Sequence, residues 1–294
     1  MSIFKGSGVA LVTPMHGNKE INFDSLERLI EDQISRGTDA LIVCGTSGEA
    51  PTLEDDEHLE AIRYAVEVTK GRIPVIAGTG SNNTAHAVMM SEESEKRGAD
   101  GLLLVTPYYN KATQDGLYEH FRTIASATKL PCIVYNVPSR TGTNILPETV
   151  AKLVRDQANI AAVKEATGNI SQVAKLAELV DGKIDIYSGN DDQIVPILAM
   201  GGMGVISVLS NVIPRETVEL CDKFFAGDIA GAAKLQCKYH KLISALFCEV
   251  NPIPAKAAMS MLGYCPDYLR LPLTEMEDSN RAKLRAAMQE LGLI

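Results

Sequence analysis

The 294-residue chain contains no tryptophan, no Lys/Arg-rich stripe or tail, and no CxxC pair among its six cysteines. Each absence removes a class of function. No apolar run reaches the ~18–20 residues that cross a bilayer, so no membrane span is expected. With 28 Lys and Arg against 37 Asp and Glu, the net charge of −9 excludes a general binder of nucleic-acid backbones. The cysteines (44, 132, 221, 237, 248 and 265) fall without a disulfide spacing, and Cys44 and Cys132 sit inside apolar runs, as buried reduced thiols do. The histidines (16, 58, 86, 120 and 240) form no HxxxH or HExxH pattern, and no metal site is expected. The opening MSIFKGSGVALVTPM has neither the apolar core and cleavage site of a signal peptide nor the Arg/Ser-rich character of a transit peptide. It reads as the start of a cytoplasmic protein.

What is present is 46% hydrophobic residues with 22% charged, enough to bury a large core. Eight short apolar runs recur at 8–13, 40–46, 73–79, 101–106, 132–137, 160–165, 184–189 and 204–209. They do not alternate with polar residues, which marks parallel strands covered on both faces. Stretches with helical period lie between them. Phe23, Leu26, Leu29, Ile30 and Ile34 make one stripe behind Asp24 and Ser25, and Gly37 is placed to close that helix. Eight strand–helix units predict a (β/α)8 TIM barrel over residues 1–225. A doubly wound sheet would carry a Gly-rich fingerprint after its first strand; GSGVAL precedes its strand and GTGSNN lacks the third glycine. Residues 226–294 read as three further helices packed on the barrel.

In a barrel, side chains at the C-terminal strand ends meet at one mouth, where active sites form. Here that inventory is Thr13, Thr46, Ser47, Thr79, Thr106, Tyr109, Tyr135, Lys164, Ser188, Gly189 and Ser207: hydroxyls, tyrosines and one lysine. It holds no carboxylate cluster, histidine base or pair of acids. Lys164 ends a buried strand in IAAVKEATGN, where low-dielectric surroundings lower an amine's pKa from about 10.4 and leave it nucleophilic. A lysine that merely snorkels to solvent is the bland alternative. Tyr135 ends the neighbouring strand, the GTSGEA turn (45–50) can hold a carboxylate on backbone N–H groups, and Arg140 can grip a second one. This set suits imine chemistry with proton relay through hydroxyls.

The motifs GTSGEAPTL (45–53), GLLLVTPYYNKATQDGLYEHF (101–121), YNVPSRTGTN (135–144), VKEATGN (163–169), YSGNDD (187–192), GVISVLSNV (204–212) and NPIPAKAA (251–258) occur in this order. From about Gly6 to its end the chain resembles the dihydrodipicolinate synthase and N-acetylneuraminate lyase family of pyruvate-dependent class I aldolases. PSRTG and KEATGN are similar to the synthase branch. The resemblance implies that Lys164 forms a Schiff base with pyruvate, whose carboxylate rests on Thr46 and Ser47. It implies condensation with L-aspartate 4-semialdehyde, held by Arg140, to 4-hydroxy-tetrahydrodipicolinate on the route to diaminopimelate and lysine. Tyr135, Thr46 and Tyr109 would relay protons, Tyr109 coming from the neighbouring subunit of a homotetramer built from tight dimers. Gly189 and Ile206 would line the pyruvate pocket, and no cofactor would be needed beyond the lysine imine.

Family members that lysine inhibits bind it at the tight-dimer interface. The matching positions are Ala50, Asp55, His58, Asn82, His86 and Tyr108, with Asp55 in place of a histidine and His86 in place of a glutamate. Loss of that carboxylate implies weak or absent feedback. Three other readings are weighed. A lyase for N-acetylneuraminate or 2-keto-3-deoxy sugar acids would share the chemistry, but Arg140 and KEATGN argue against it. A phosphosugar isomerase would need a Gly-rich cup after the last two strands, whereas GGMG (201–204) precedes the eighth. A non-catalytic barrel scaffold would have no use for Lys164 beside Tyr135.

Overall fold

The computed structural model describes residues 2–294. Strands β1 (Gly6–Ala10), β2 (Ala40–Val43), β3 (Val75–Gly78), β4 (Gly101–Val105), β5 (Cys132–Asn136), β6 (Ile160–Glu165), β7 (Asp185–Ser188) and β8 (Gly204–Ser207) pair in parallel, each with the next, and β8 returns to β1. The result is a closed barrel. Helices α1 (Phe23–Ser35), α2 (Asp55–Thr69), α3 (Thr84–Lys96) and α4 (Gln114–Ser126) follow the first four strands. A short α5 (Pro138–Thr141) and then α6 (Pro147–Asp156) follow β5; α7 (Ile170–Val180), α8 (Ile194–Ala199) and α9 (Pro214–Phe225) follow β6, β7 and β8.

Two apolar layers explain why the strands do not alternate in sequence. Successive strand residues point to opposite faces. Ile42, Ile76, Leu103, Ile133, Ala162 and Ile206 fill the barrel interior, and Leu41, Val43, Leu102, Leu104, Val134 and Val163 face the helices. Parity therefore fixes the direction of the functional side chains. Tyr135 shares the inward face of Ile133, and Lys164 that of Ala162. Ahead of β1, Phe4 stacks on Tyr187 with ring centroids 4.2 Å apart, and the Tyr187 hydroxyl donates to the Phe4 carbonyl at 2.6 Å.

The predicted elements shift at their ends for identifiable reasons. β1 stops at Ala10 instead of running to Thr13, because Asn211 takes over its ladder: the Asn211 side chain accepts from Val12 N–H at 3.1 Å and donates to the Ala10 carbonyl at 2.9 Å. β2 stops at Val43 because Cys44 turns into the left-handed region, φ 53°. The first helix is capped by Asn22, whose side chain accepts from Ser25 N–H at 2.9 Å, so the cap lies ahead of Asp24 and Ser25.

Beyond the barrel, the first predicted stretch is broken at Tyr239 (φ −92°, ψ 1°) into α10 (Ile229–Lys238) and α11 (His240–Leu246), so four helices are found, not three. α12 (Ile253–Met261) and α13 (Asp278–Glu290) complete them. Leu242, Leu246, Ala255, Met259, Leu284 and Met288 belong to the same buried cluster as the helix-facing strand residues. No helix among the described residues is long and apolar enough to cross a membrane.

Candidate active site

β5 and β6 lie side by side with Tyr135 paired to Lys164 in register, both pointing inward. The lysine Nζ sits 4.3 Å from the centre of the Tyr135 ring, and only 5% of the residue is exposed. Burial pushes its amine down to about 7, against the nearby Asp191 carboxylate, which raises it; the Arg140 charge lowers it further. Burial also raises the Tyr135 phenol above its ordinary value, with Arg140 and the Thr46 hydroxyl pulling the other way. Near neutral pH this corner of the barrel thus holds an amine of which about half is uncharged, beside a protonated phenol.

A cavity of about 110 Å³ opens onto the amine, lined among others by Thr46, Ser47, Tyr135, Arg140, Gly189 and Asn251. Gly189 suits its place: a Cβ there would meet the Lys164 Cε at 3.2 Å and the Ala166 Cβ at 2.7 Å. The GTSGEA turn folds on itself, with Gly48 and Ala50 N–H donating to the Gly45 carbonyl at 3.1 and 3.3 Å and Glu49 N–H to that of Thr46 at 3.2 Å. The N–H groups of Thr46 and Ser47 take no acceptor among the described residues. Two adjacent donors at the cavity wall form a seat for a small carboxylate. The guanidinium of Arg140, an exposed residue of α5, has no ion-pair partner among the described residues.

The structure sorts the predicted residues. Thr46, Ser47, Tyr135, Arg140, Lys164 and Gly189 share this one cavity. Ile206 is fully buried in the interior apolar cluster with Ala10, Ile42 and Tyr135. Tyr109 does not join the cavity of its own chain: it stands 88% exposed on a loop at φ 73°. Several mouth hydroxyls are engaged elsewhere. Thr13 donates to the Gly48 carbonyl at 2.8 Å, Thr79 pairs with Ser91 at 3.0 Å, Ser188 donates to the Asn190 carbonyl at 2.7 Å, and Ser207 accepts from Ser210 N–H at 2.9 Å.

A second, wider cavity of about 340 Å³ shares Thr46, Tyr135 and Arg140 with the first and gathers Ala50, Asp55, His58, His86 and Tyr108. Asn82 holds the Tyr108 carbonyl at 3.2 Å. His86 Nε2 pairs with Asp55 at 2.8 Å, and His58 Nε2 lies 2.9 Å from the Gly78 carbonyl with its pKa lowered by burial to about 4. His58 is therefore neutral and donates to that carbonyl.

Three site residues escaped the sequence. Asp191 is buried between the ends of β7 and β8, its Oδ2 accepting from Val208 and Leu209 N–H at 3.0 and 2.9 Å while Oδ1 has no partner among the described residues. Burial raises its carboxyl, opposed by Ser207, by those amides and by Lys164. Asn251 and Phe247 reach the cavity from beyond the barrel. YSGNDD and NPIPAKAA were visible as motifs, but neither shows in sequence that its polar residue approaches the lysine.

Fold and site together define an eight-stranded barrel with a buried amine beside a phenol at its C-terminal mouth, a class equipped for addition to carbonyl carbons. The family model described as the dihydrodipicolinate synthetase family matches residues 3–291, and the chain belongs to that family. It is 56% identical over 294 residues to the 4-hydroxy-tetrahydrodipicolinate synthase of Lachnoclostridium phytofermentans, covering all of both chains. Among solved structures it is similar to the lysine-bound enzyme of Cyanidioschyzon merolae, at TM-score 0.97 and 41% identity with all of both chains covered. It is also similar to a monomeric dihydrodipicolinate synthase variant, at TM-score 0.97 and 44% identity over 99% of this chain and 98% of that one.

The depressed amine is open to a direct check. In protein labelled with ¹³C at lysine Cε, one resonance is expected to titrate near pH 7 and to vanish in Lys164→Met. A Lys164 signal that titrates only above about pH 9 would contradict the burial argument.

Proposed function

We propose that the protein condenses pyruvate with L-aspartate 4-semialdehyde to 4-hydroxy-tetrahydrodipicolinate through an imine on Lys164. The observation that carries this is the buried amine held against Tyr135, in one cavity with the two free N–H groups of Thr46 and Ser47. Relatives named 4-hydroxy-tetrahydrodipicolinate synthase across the whole chain support this reading.

Pyruvate's carboxylate sits on the Thr46 and Ser47 amides, which brings its C2 to Nζ. The neutral amine adds to C2, the carbinolamine loses water with a proton supplied through Tyr135, and a protonated imine results. Loss of a proton from C3 gives an enamine, whose C3 attacks the aldehyde carbon of the second substrate. The aldehyde oxygen takes a proton and becomes the hydroxyl. The substrate's own amino group then adds to C2 and displaces Lys164, closing the ring and freeing the amine; one water leaves per condensation. Arg140 holds the carboxylate of the semialdehyde at the rim. The iminium is the electron sink, so no external cofactor enters. Gly189 and Ile206 shape the pyruvate pocket.

The exposed Tyr109 completes the relay with Tyr135 and Thr46 in the site of a neighbouring subunit, within a homotetramer of tight dimers working in the cytoplasm. At the wider cavity, Asp55 is the one lining carboxylate among the described residues, and His86 engages it, leaving none free there for the ammonium of a lysine ligand. Losing such a charge-assisted contact lowers affinity by about 1.5–3 kcal/mol, more than tenfold.

Incubation with pyruvate and borohydride, read by intact mass and peptide mapping, is expected to give one pyruvyl adduct on Lys164. Tyr135→Phe should lower turnover with aspartate semialdehyde by about 10²–10⁴-fold, the usual worth of a proton-transfer residue. A folded protein without the adduct would refute the assignment. Titration calorimetry with lysine is expected to show no micromolar binding; a micromolar isotherm would reject the reading of Asp55 and His86.

A further inference from the structure

The turn assigned to pyruvate's carboxylate does not hold its shape alone. Two residues without glycine's freedom, Cys44 at φ 53° and Glu49 at φ 57°, stand in the left-handed region on either side of Thr46 and Ser47. Such backbone persists only where its surroundings over-determine it. Space around it is also closed: a Cβ on Gly48 would lie 2.9 Å from the Cys44 Cα, and one on Gly78 would lie 2.2 Å from the Cys44 carbonyl oxygen.

Most of the restraint comes from more than 200 residues downstream. Lys256, inside α12, reaches Glu49 at 2.6 Å with both side chains fully buried. The other Glu49 oxygen accepts from Arg270 N–H at 3.1 Å. Arg270's guanidinium donates to the Thr52 carbonyl at 2.7 Å and pairs with Glu57 at the start of α2, fixing the far end of the turn. Asn251 donates to the Ser47 hydroxyl at 2.9 Å. From inside the barrel, Thr13 donates to the Gly48 carbonyl at 2.8 Å. The mechanism uses neither Glu49 nor Lys256. A wholly buried ion pair is a poor source of stability compared with apolar residues of the same volume. Breaking it, by contrast, leaves one unpaired charge beside the turn.

We infer that Lys256, Glu49 and Arg270 are positioning residues, through which α12 and the segment that follows it hold the 45–50 turn in the strained form whose Thr46 and Ser47 amides receive pyruvate. The inference rests on pyruvate being seated by that turn. Its consequence is selective: loosening the clamp weakens pyruvate capture and leaves the amine itself in place.

The test follows borohydride-trapped adduct against pyruvate concentration in the full chain, beside far-UV circular dichroism and thermal melting. Lys256→Met is expected to raise the half-saturating pyruvate concentration about tenfold or more, since small misplacements of a binding group weaken capture steeply. The plateau of adduct on Lys164 and the half-saturating aldehyde concentration should stay as in the wild type. Arg270→Gln, at a partly exposed position, should raise the pyruvate requirement about threefold and serves alone if Lys256→Met does not fold. Folded variants that saturate as the wild type does would overturn the inference, as would loss of plateau and pyruvate requirement together, the mark of partial unfolding. If the wild type itself forms no adduct, the proposed function fails; calorimetric pyruvate affinities of the same variants then decide the clamp, equal values overturning it.

Discussion

The structure turns on removing one amine from water. Lys164 belongs to the inward face of β6, and a closed barrel leaves that face no route to solvent except the mouth. Desolvation disfavours the ammonium, and the neutral form that burial selects is also the nucleophilic form. This has a sign in stability. Between about pH 7, where the folded amine titrates, and about 10.4, where an unfolded lysine does, the unfolded chain holds the extra proton. The contribution of this group to stability therefore rises with pH across that window and is least favourable below it. Asp191 moderates the effect by lending a buried negative charge.

The remaining geometry serves that amine. Register on β5 sets Tyr135 beside it, the glycine at 189 keeps its side-chain path open, and the turn after β2 offers paired donors. The barrel alone does not finish the site. Asn251 and Phe247 arrive from the segment between α11 and α12, and Lys256 anchors the turn from within α12. The C-terminal region thus reaches the candidate site's cavity and turn as well as the core.

Much of this was legible in the residues. Eight apolar runs without alternation predict the barrel because each strand lies between two apolar layers; the inward parity of Tyr135 and Lys164 shows only once Ile133 and Ala162 are found in the interior. Lys164 and Tyr135 were readable because one strand pair carries both. What stayed hidden has long-range or geometric causes. The Asn211 side chain that ends β1 comes from beyond β8, and the Lys256–Glu49 pair joins residues with no local pattern between them. Asp191 looked like any loop acid until the chain folded it beneath β8's end. Tyr109 follows β4 toward the mouth in sequence, but it stands exposed on its loop, outside the lysine's cavity in its own chain.

The most direct measurement is a crystal structure of the protein soaked in pyruvate. The account predicts continuous density from Lys164 Nζ to the substrate's C2, with the carboxylate on the Thr46 and Ser47 amides and the Tyr135 hydroxyl beside the new bond. Pyruvate bound without a link to Lys164, or linked with its carboxylate turned away from the 45–50 turn, would contradict it.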